Sequence, residues 1–174
     1  MQAQVDRGRR FGWSERNVAL AFAAALYARP GETPDDDSFV TGIHRTALTS
    51  RGRGRRLMLG AVAGSAILLD DPALALKRSE VVLCKGVETT LAMRALGYSS
   101  ALALNSTSGF RNFLDLTPAV TLIRMSAEND EASRRAVNAL SQRARAAGQR
   151  VIIMRPRFGK DANDLLMEAA HASA

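Results

Sequence analysis

Four acidic side chains carry the clearest chemical signal in this chain. Glu128 and Asp130 stand two residues apart in Ser126-Ala127-Glu128-Asn129-Asp130, and Asp161 and Asp164 stand three apart in Gly159-Lys160-Asp161-Ala162-Asn163-Asp164. Each pair follows a short apolar run that reads as a strand. Carboxylates converging from neighbouring strand ends repel one another unless a cation lies between them. Oxygen-rich sets of that kind suit Mg²⁺, which is held by a few carboxylates together with waters and substrate phosphates. A structural account competes with this one. Asp130 and Asp161 also stand where helices open, and a carboxylate is favoured at the positive end of a helix dipole. Spacing alone does not separate the two.

The elements that must position these acids are legible from Glu80 onward. Val81–Cys84, Ala101–Leu104, Ala119–Met125 and Arg150–Met154 are short apolar runs that predict strands. Val87–Leu96 (closed by Gly97), a stretch near Phe110–Leu114, Asp130–Ala147 (closed by Gly148) and Asp161–Ala170 predict helices between and after them. Such alternation predicts an α/β fold with a mostly parallel sheet covered on both faces. In sheets of this kind ligands sit beyond the carboxyl ends of the strands. That rule directs attention to Lys85–Gly86, Asn105–Gly109, Ser126–Asp130 and Pro156–Asp164. Ser106-Thr107-Ser108-Gly109 offers backbone amides to a phosphate, although it lacks a P-loop pattern.

Upstream the texture differs. Residues 1–37 read as a polar arm, Met1–Gly12, followed by a helix over Glu15–Ala28 and a linker carrying Pro30, Gly31, Pro34 and Asp35 to Asp37. Residues 38–79 read as a β-rich extension. Phe39–Thr49 is its first strand, Ser50–Arg56 a flexible basic turn, and Leu57–Leu69 a second strand or two short ones. Residues 80–174 form the α/β domain.

The 174 residues suffice for one domain with a small extension, and hydrophobic residues at 47% supply a core. Twenty-four Lys and Arg against 17 Asp and Glu leave a formal charge of +7. A surplus of that size makes nucleic acid a plausible partner through phosphate contacts and counterion release. Arg45, Arg51, Arg53, Arg55, Arg56 and Lys160 are the candidate phosphate contacts, with a solvated hairpin tip as the plainer account of those in Ser50–Arg56. Arg134, Arg135, Arg143 and Arg145 read as the solvated face of the long helix. The single cysteine, Cys84, excludes an internal disulfide and reads as a buried strand thiol. No apolar run reaches the roughly 18–20 residues of a membrane span. Val18–Ala28 superficially resembles a signal peptide but is flanked like an ordinary helix, so a cytoplasmic location is expected. His44 and His171 show no ligand spacing, and packing is the expected role of His44.

Glu80 to Leu166 resembles the Toprim domain of primases, topoisomerases and related nucleases, in the form found in large plasmid and phage primase-helicases. The residues that carry the resemblance are Lys85-Gly86-Val87-Glu88-Thr89, Glu128-Asn129-Asp130 and Gly159-Lys160-Asp161-Ala162-Asn163-Asp164-Leu165-Leu166. The stretch from Ile43-His44-Arg45-Thr46 to Met58-Leu59-Gly60 is also similar to what precedes Toprim in that group. The last of the three motifs is specific. The first departs from the family, which places a glutamate, the expected general acid/base beside the metal, where this chain has Lys85. Glu128 stands in place of the family's first aspartate, a change that keeps the charge.

The resemblance implies a metal site of Glu128, Asp130, Asp161 and Asp164 that uses Mg²⁺ in active members. It also implies that Lys85 pairs with Glu128 or Asp130 and takes the place of the cation. A protonated lysine cannot accept a proton, so general-base chemistry fails at that position. Glu88, one position into the following helix, is expected to complement the helix dipole. The expectation is therefore a non-catalytic Toprim-like protein of a mobile genetic element that binds nucleic acid or a DNA replication or transfer protein, as a regulator or inhibitor. One alternative is an active Mg²⁺-dependent nuclease or primase-type nucleotidyltransferase with Glu88 as acid/base. Another is a pure protein–protein module that docks through its N-terminal helix. No Gly-x-x-x-x-Gly-Lys-Ser/Thr motif and no cysteine cluster occurs.

Overall fold

The computed structural model describes residues 20–24, 42–49, 52–60, 64–69, 79–113, 120–157, 159–164 and 166–167. Two sheets carry these residues. The first is antiparallel, in the order β1-β2-β3, with β1 Leu20–Ala24, β2 Gly42–Thr49 and β3 Gly52–Gly60. The second has the order β4-β6-β5-β7-β8, with β4 Ile67–Leu68, β5 Glu80–Cys84, β6 Ala101–Ala103, β7 Leu122–Ser126 and β8 Arg150–Met154. Its four main strands are parallel, and β4 runs antiparallel along the outside of β6.

The parallel sheet follows from residue type. Every residue of β5 after Glu80 is buried, as expected for a central strand with helices on both faces. Successive side chains point to opposite faces, so Val81 and Leu83 join one cluster while Val82 and Cys84 join the other. The larger cluster packs β5–β8 against the helices α2, Thr107–Asn112, and α3, Glu131–Ala146. The smaller one packs Ala92 and Met93 of α1, Val87–Ala95, and Ala162 of a last helical stretch over residues 162–164 and 166–167. Helix α3 buries Ser133, Ala136, Val137, Leu140, Ser141 and Ala144, the i, i+3, i+4 stripe of an amphipathic helix. Cys84 is fully buried, and desolvation pushes its thiol up to about 12; it is not a nucleophile.

Register aligns the strand ends. Cys84 pairs with Ala103, and Ser126 pairs with Met154. Lys85, Leu104, Ala127 and Arg155 therefore leave the sheet side by side, at the edge where the acids were expected to gather.

Three expectations need correction. Leu20–Ala24, placed within a helix over Glu15–Ala28, is a strand paired with β2 from Leu20↔Thr46 to Ala24↔Gly42. A short apolar run carries no periodicity that separates helix from strand, and cross-strand pairing decides it. The basic stretch Ser50–Arg56 is not a turn throughout, because Gly52 to Arg56 belong to β3, with Arg53 opposite Leu48 and Arg56 opposite Thr46 across a bulge. Helix α2 starts at Thr107, three residues earlier than expected, because the Ser106 hydroxyl accepts the Gly109 amide N–H at 3.0 Å and caps it. The remaining expectations for the arm, for His171 and for Arg51 fall outside the described residues.

Candidate functional site

Lys85 follows β5, and its backbone sits at the centre of the row of strand ends. Its ammonium donates to Glu128 Oε2 at 2.7 Å and lies 3.8 Å from Asp130 Oδ2. Glu128 is nearly enclosed, with 9% of its side chain exposed, against 26% for Lys85 and 36% for Asp130. The pair with Glu128 is thus the energetically significant one, since exposed ion pairs are worth little and enclosed ones are costly to break.

The loop after β7 holds Glu128 and Asp130 in place. The Glu128 amide N–H donates to Ser133 Oγ at 3.0 Å, and the Ser133 amide N–H donates to Asp130 Oδ1 at 2.7 Å. Asp130 is the N-cap of α3. The Ser133 hydrogen bond holds its carboxyl below the usual carboxylate range against partial desolvation, with a side-chain contact to Glu128 and then the Lys85 and Lys160 charges adding to the shift. One oxygen thus caps the helix, and the other lies 3.8 Å from the ammonium. Asp130→Ala is expected to cost about 1 kcal/mol through the lost cap. Because the folded-state pKa is depressed, that contribution is present above the unfolded value of 3.8 and fades as pH falls through the folded one. Urea melts of both proteins at pH 7 and at pH 3 check this. A gap that stays constant would assign the loss to packing instead.

Asp161 and Asp164 also serve backbone. Asp161 Oδ1 accepts the Asn163 amide N–H at 2.9 Å, and Asp164 Oδ2 accepts the Lys160 amide N–H at 2.6 Å. Among the described residues no group of three His, Cys, Asp or Glu side chains is placed to hold a metal ion. The arrangement brings Glu128 and Asp130 together on Lys85 and leaves Asp161 and Asp164 closing their own turn. As placed, this donor set does not fit Mg²⁺: an ammonium lies 2.7 Å from the Glu128 carboxylate and 3.8 Å from that of Asp130, and a backbone amide takes one oxygen of each of the other two.

Glu88 lies in the first turn of α1, and its Oε1 accepts from Arg56 on β3 at 2.7 Å, both side chains being about two-fifths exposed. This contact spans 32 residues of sequence and joins the antiparallel sheet to the parallel unit. His44 on β2 is 5% exposed, and burial lowers its pKa while the nearby Glu88 charge opposes the shift. Of the remaining basic candidates, Arg45 lies on β2 and Arg53 and Arg55 on β3.

Sequence reasoning passed over Asn129, between the two acids. Its amide donates to the carbonyls of Pro156 at 3.2 Å and Gly159 at 2.9 Å, and its backbone N–H donates to the Lys160 carbonyl at 2.9 Å. The signal was available in its residue type, since an amide beside a strand end is suited to bridging backbone carbonyls.

A family model described as a Toprim domain matches residues 80–172, more than half of the chain. Among solved structures, the chain is similar to the primase fragment of the bacteriophage T7 primase-helicase, with a TM-score of 0.55 and 16% identity over 75% of this chain and 54% of that one. It is similar also to the zinc-binding and RNA polymerase domains of the Aquifex aeolicus primase, with a TM-score of 0.56 and 14% identity over 78% and 35%. The chain thus spans about half of the first structure and about a third of the second. At these identities the likeness is one of fold. No curated protein matches the chain. No described helix is long and apolar enough to cross a membrane.

Proposed function

The chain belongs to the Toprim family, and from that premise we propose a protein that binds nucleic acid without metal-dependent phosphoryl chemistry of its own. The observation that carries this reading is the Lys85 ammonium, 2.7 Å from Glu128 and 3.8 Å from Asp130, where the family's metal-site acids would otherwise face a cation. An ammonium there opposes a divalent ion by charge and by volume, and it cannot serve as general base while protonated. The surplus of seven positive charges supports a polyanionic partner. A regulator or inhibitor in a mobile genetic element, acting on nucleic acid or on a replication or transfer protein in the cytoplasm, is the setting we favour.

The test has two arms. Polynucleotide binding is expected to weaken linearly on a log–log plot against salt, while millimolar Mg²⁺ or Mn²⁺ leaves the melting temperature of the wild-type chain unchanged and no nucleotide incorporation or strand cleavage occurs. Turnover with Mn²⁺ would replace this reading with an active nucleotidyltransferase or nuclease using Glu128, Asp130, Asp161 and Asp164.

A further inference from the structure

The turn that follows β8 is built more firmly than its length demands. Residues 155–157, 159 and 160 lie between β8 and the last helical stretch, and three separate groups pin the backbone of Pro156, Gly159 and Lys160. Asn129 takes the carbonyls of Pro156 and Gly159 with its side chain and that of Lys160 with its own N–H. Asp164 accepts the Lys160 amide N–H at 2.6 Å. Gly159 adopts φ 71°, and a Cβ there would lie 2.6 Å from the Asp164 Cβ, so the tight approach requires glycine.

What this fixed backbone presents is positive charge. Arg155, Arg157 and Lys160 are all exposed, and among the described residues no carboxylate lies within ion-pair distance of any of them. The arginines of α3 differ, since Arg134 and Arg135 both reach Glu131. The acids in the same turn do not neutralise the three cations either, because Asp161 and Asp164 direct oxygens at backbone amides. Three cations within six residues of sequence repel one another, and a chain that fixes the backbone of Pro156, Gly159 and Lys160 among them with several hydrogen bonds presents a preorganised anion surface.

We infer that Arg155, Arg157 and Lys160 form a phosphate-contact surface that takes the sugar–phosphate backbone of a nucleic acid strand. The inference rests on the nucleic-acid reading above and deepens it by naming the surface. On this account the Gly-Lys-Asp-x-Asn-Asp sequence is a brace for a basic loop: its acids shape the turn, and its lysine, with the two arginines before it, meets the ligand.

The test compares two triple variants with equal charge loss. In Arg155→Gln/Arg157→Gln/Lys160→Gln the loop is neutralised; in Arg111→Gln/Arg145→Gln/Arg150→Gln three exposed arginines away from the loop are neutralised, Arg150 lying at the other end of β8. Binding of fluorescein-labelled single strands and duplexes is followed by anisotropy from about 50 to 300 mM salt. The loop variant is expected to lose about 2 from the magnitude of the log K against log salt slope on single strands and about 3 on duplex, while the second variant keeps the wild-type slope. Equal slopes for the loop variant and wild type overturn the inference, as do equal losses in both variants, and the nucleic-acid reading survives either result. Wild-type protein that binds no polynucleotide at 50 mM salt overturns both. Polyglutamate competing as well as DNA for the loop, and failing to do so in the loop variant, would assign the surface to an acidic protein and overturn the inference also. Melting temperatures within a degree or two of wild type establish that each variant is folded.

Discussion

Lys85→Glu is expected to lower the melting temperature by roughly 10 °C in metal-free buffer and to create Mn²⁺ binding where the wild-type chain is expected to show none. The first effect follows from what Lys85 touches. Glu128 keeps 9% of its side chain exposed, and the ammonium at 2.7 Å is its charge partner. Leaving an enclosed carboxylate unpaired costs about 3–5 kcal/mol, and each kcal/mol lowers the melting temperature by about 2–4 °C in a chain of this size. A third carboxylate adds repulsion, although Asp130, at 3.8 Å and 36% exposed, is screened enough to contribute little.

The second effect follows from the same geometry with the sign reversed. Three carboxylates around the space now held by the ammonium form the oxygen-rich set that a hard divalent cation takes. Binding to the folded state alone returns about 2.7 kcal/mol at a hundredfold excess over Kd, enough to recover more than half of the lost melting temperature. Lys85→Met separates the contributions, since it removes the charge without adding an oxygen and is expected to melt early with no response to metal. Thermal melts of the three proteins with and without 5 mM Mn²⁺ decide the matter. A wild-type protein stabilised by Mn²⁺ as strongly as Lys85→Glu would show that the amine yields to metal, and the non-catalytic reading would go with it.

Much of this site was legible in the chain because its signals are local. β8 was expected over Arg150–Met154 and is found there, and the boundary of α3 is set by Asp130, whose residue type and position both announce a cap. A pairing of Lys85 with Glu128 or Asp130 was implied by the resemblance, and the parallel pairing of β5 with β7 places those strand ends side by side. What escaped was non-local or ambiguous. Arg56 read as part of a turn, because its partner Glu88 is 32 residues away and strand pairing with Thr46 overrides a glycine-rich sequence. Leu20–Ala24 read as helix because an Ala- and Leu-rich segment has helix-forming side chains, and propensity yields to sheet pairing when a partner strand is present. Asp161 was weighed as a metal ligand or a helix opener, and Asp164 as a metal ligand. Only coordinates reveal that their oxygens face the N–H groups of their own turn.

Gly109→Ala is expected to be the most damaging single-methyl change in the parallel unit. A Cβ built on Gly109 falls 1.8 Å from the Leu104 carbonyl oxygen and 2.8 Å from its carbon. Those are backbone atoms, so no rotamer change relieves the overlap, and α2 must move away from the end of β6 by more than an ångström. That displacement pulls on two things at once. The Ser106 cap on the Gly109 N–H is strained, and Phe110 and Phe113, which are 1% and 3% exposed in the main core, lose their seats against β6, β7 and α3. Overpacking of this kind costs about 3 kcal/mol or more, which lowers the melting temperature by roughly 6–12 °C. Ser108→Ala, one residue earlier on the exposed side of α2, is the matched control and is expected to shift it by no more than a degree or two. Polynucleotide binding measured at 10 °C, where the variant is still folded, should keep the wild-type salt slope, because Gly109 braces the scaffold and does not touch the loop after β8. A melting temperature unchanged by Gly109→Ala would mean that α2 is not held against Leu104, and the packing that aligns the strand ends would have to be redrawn.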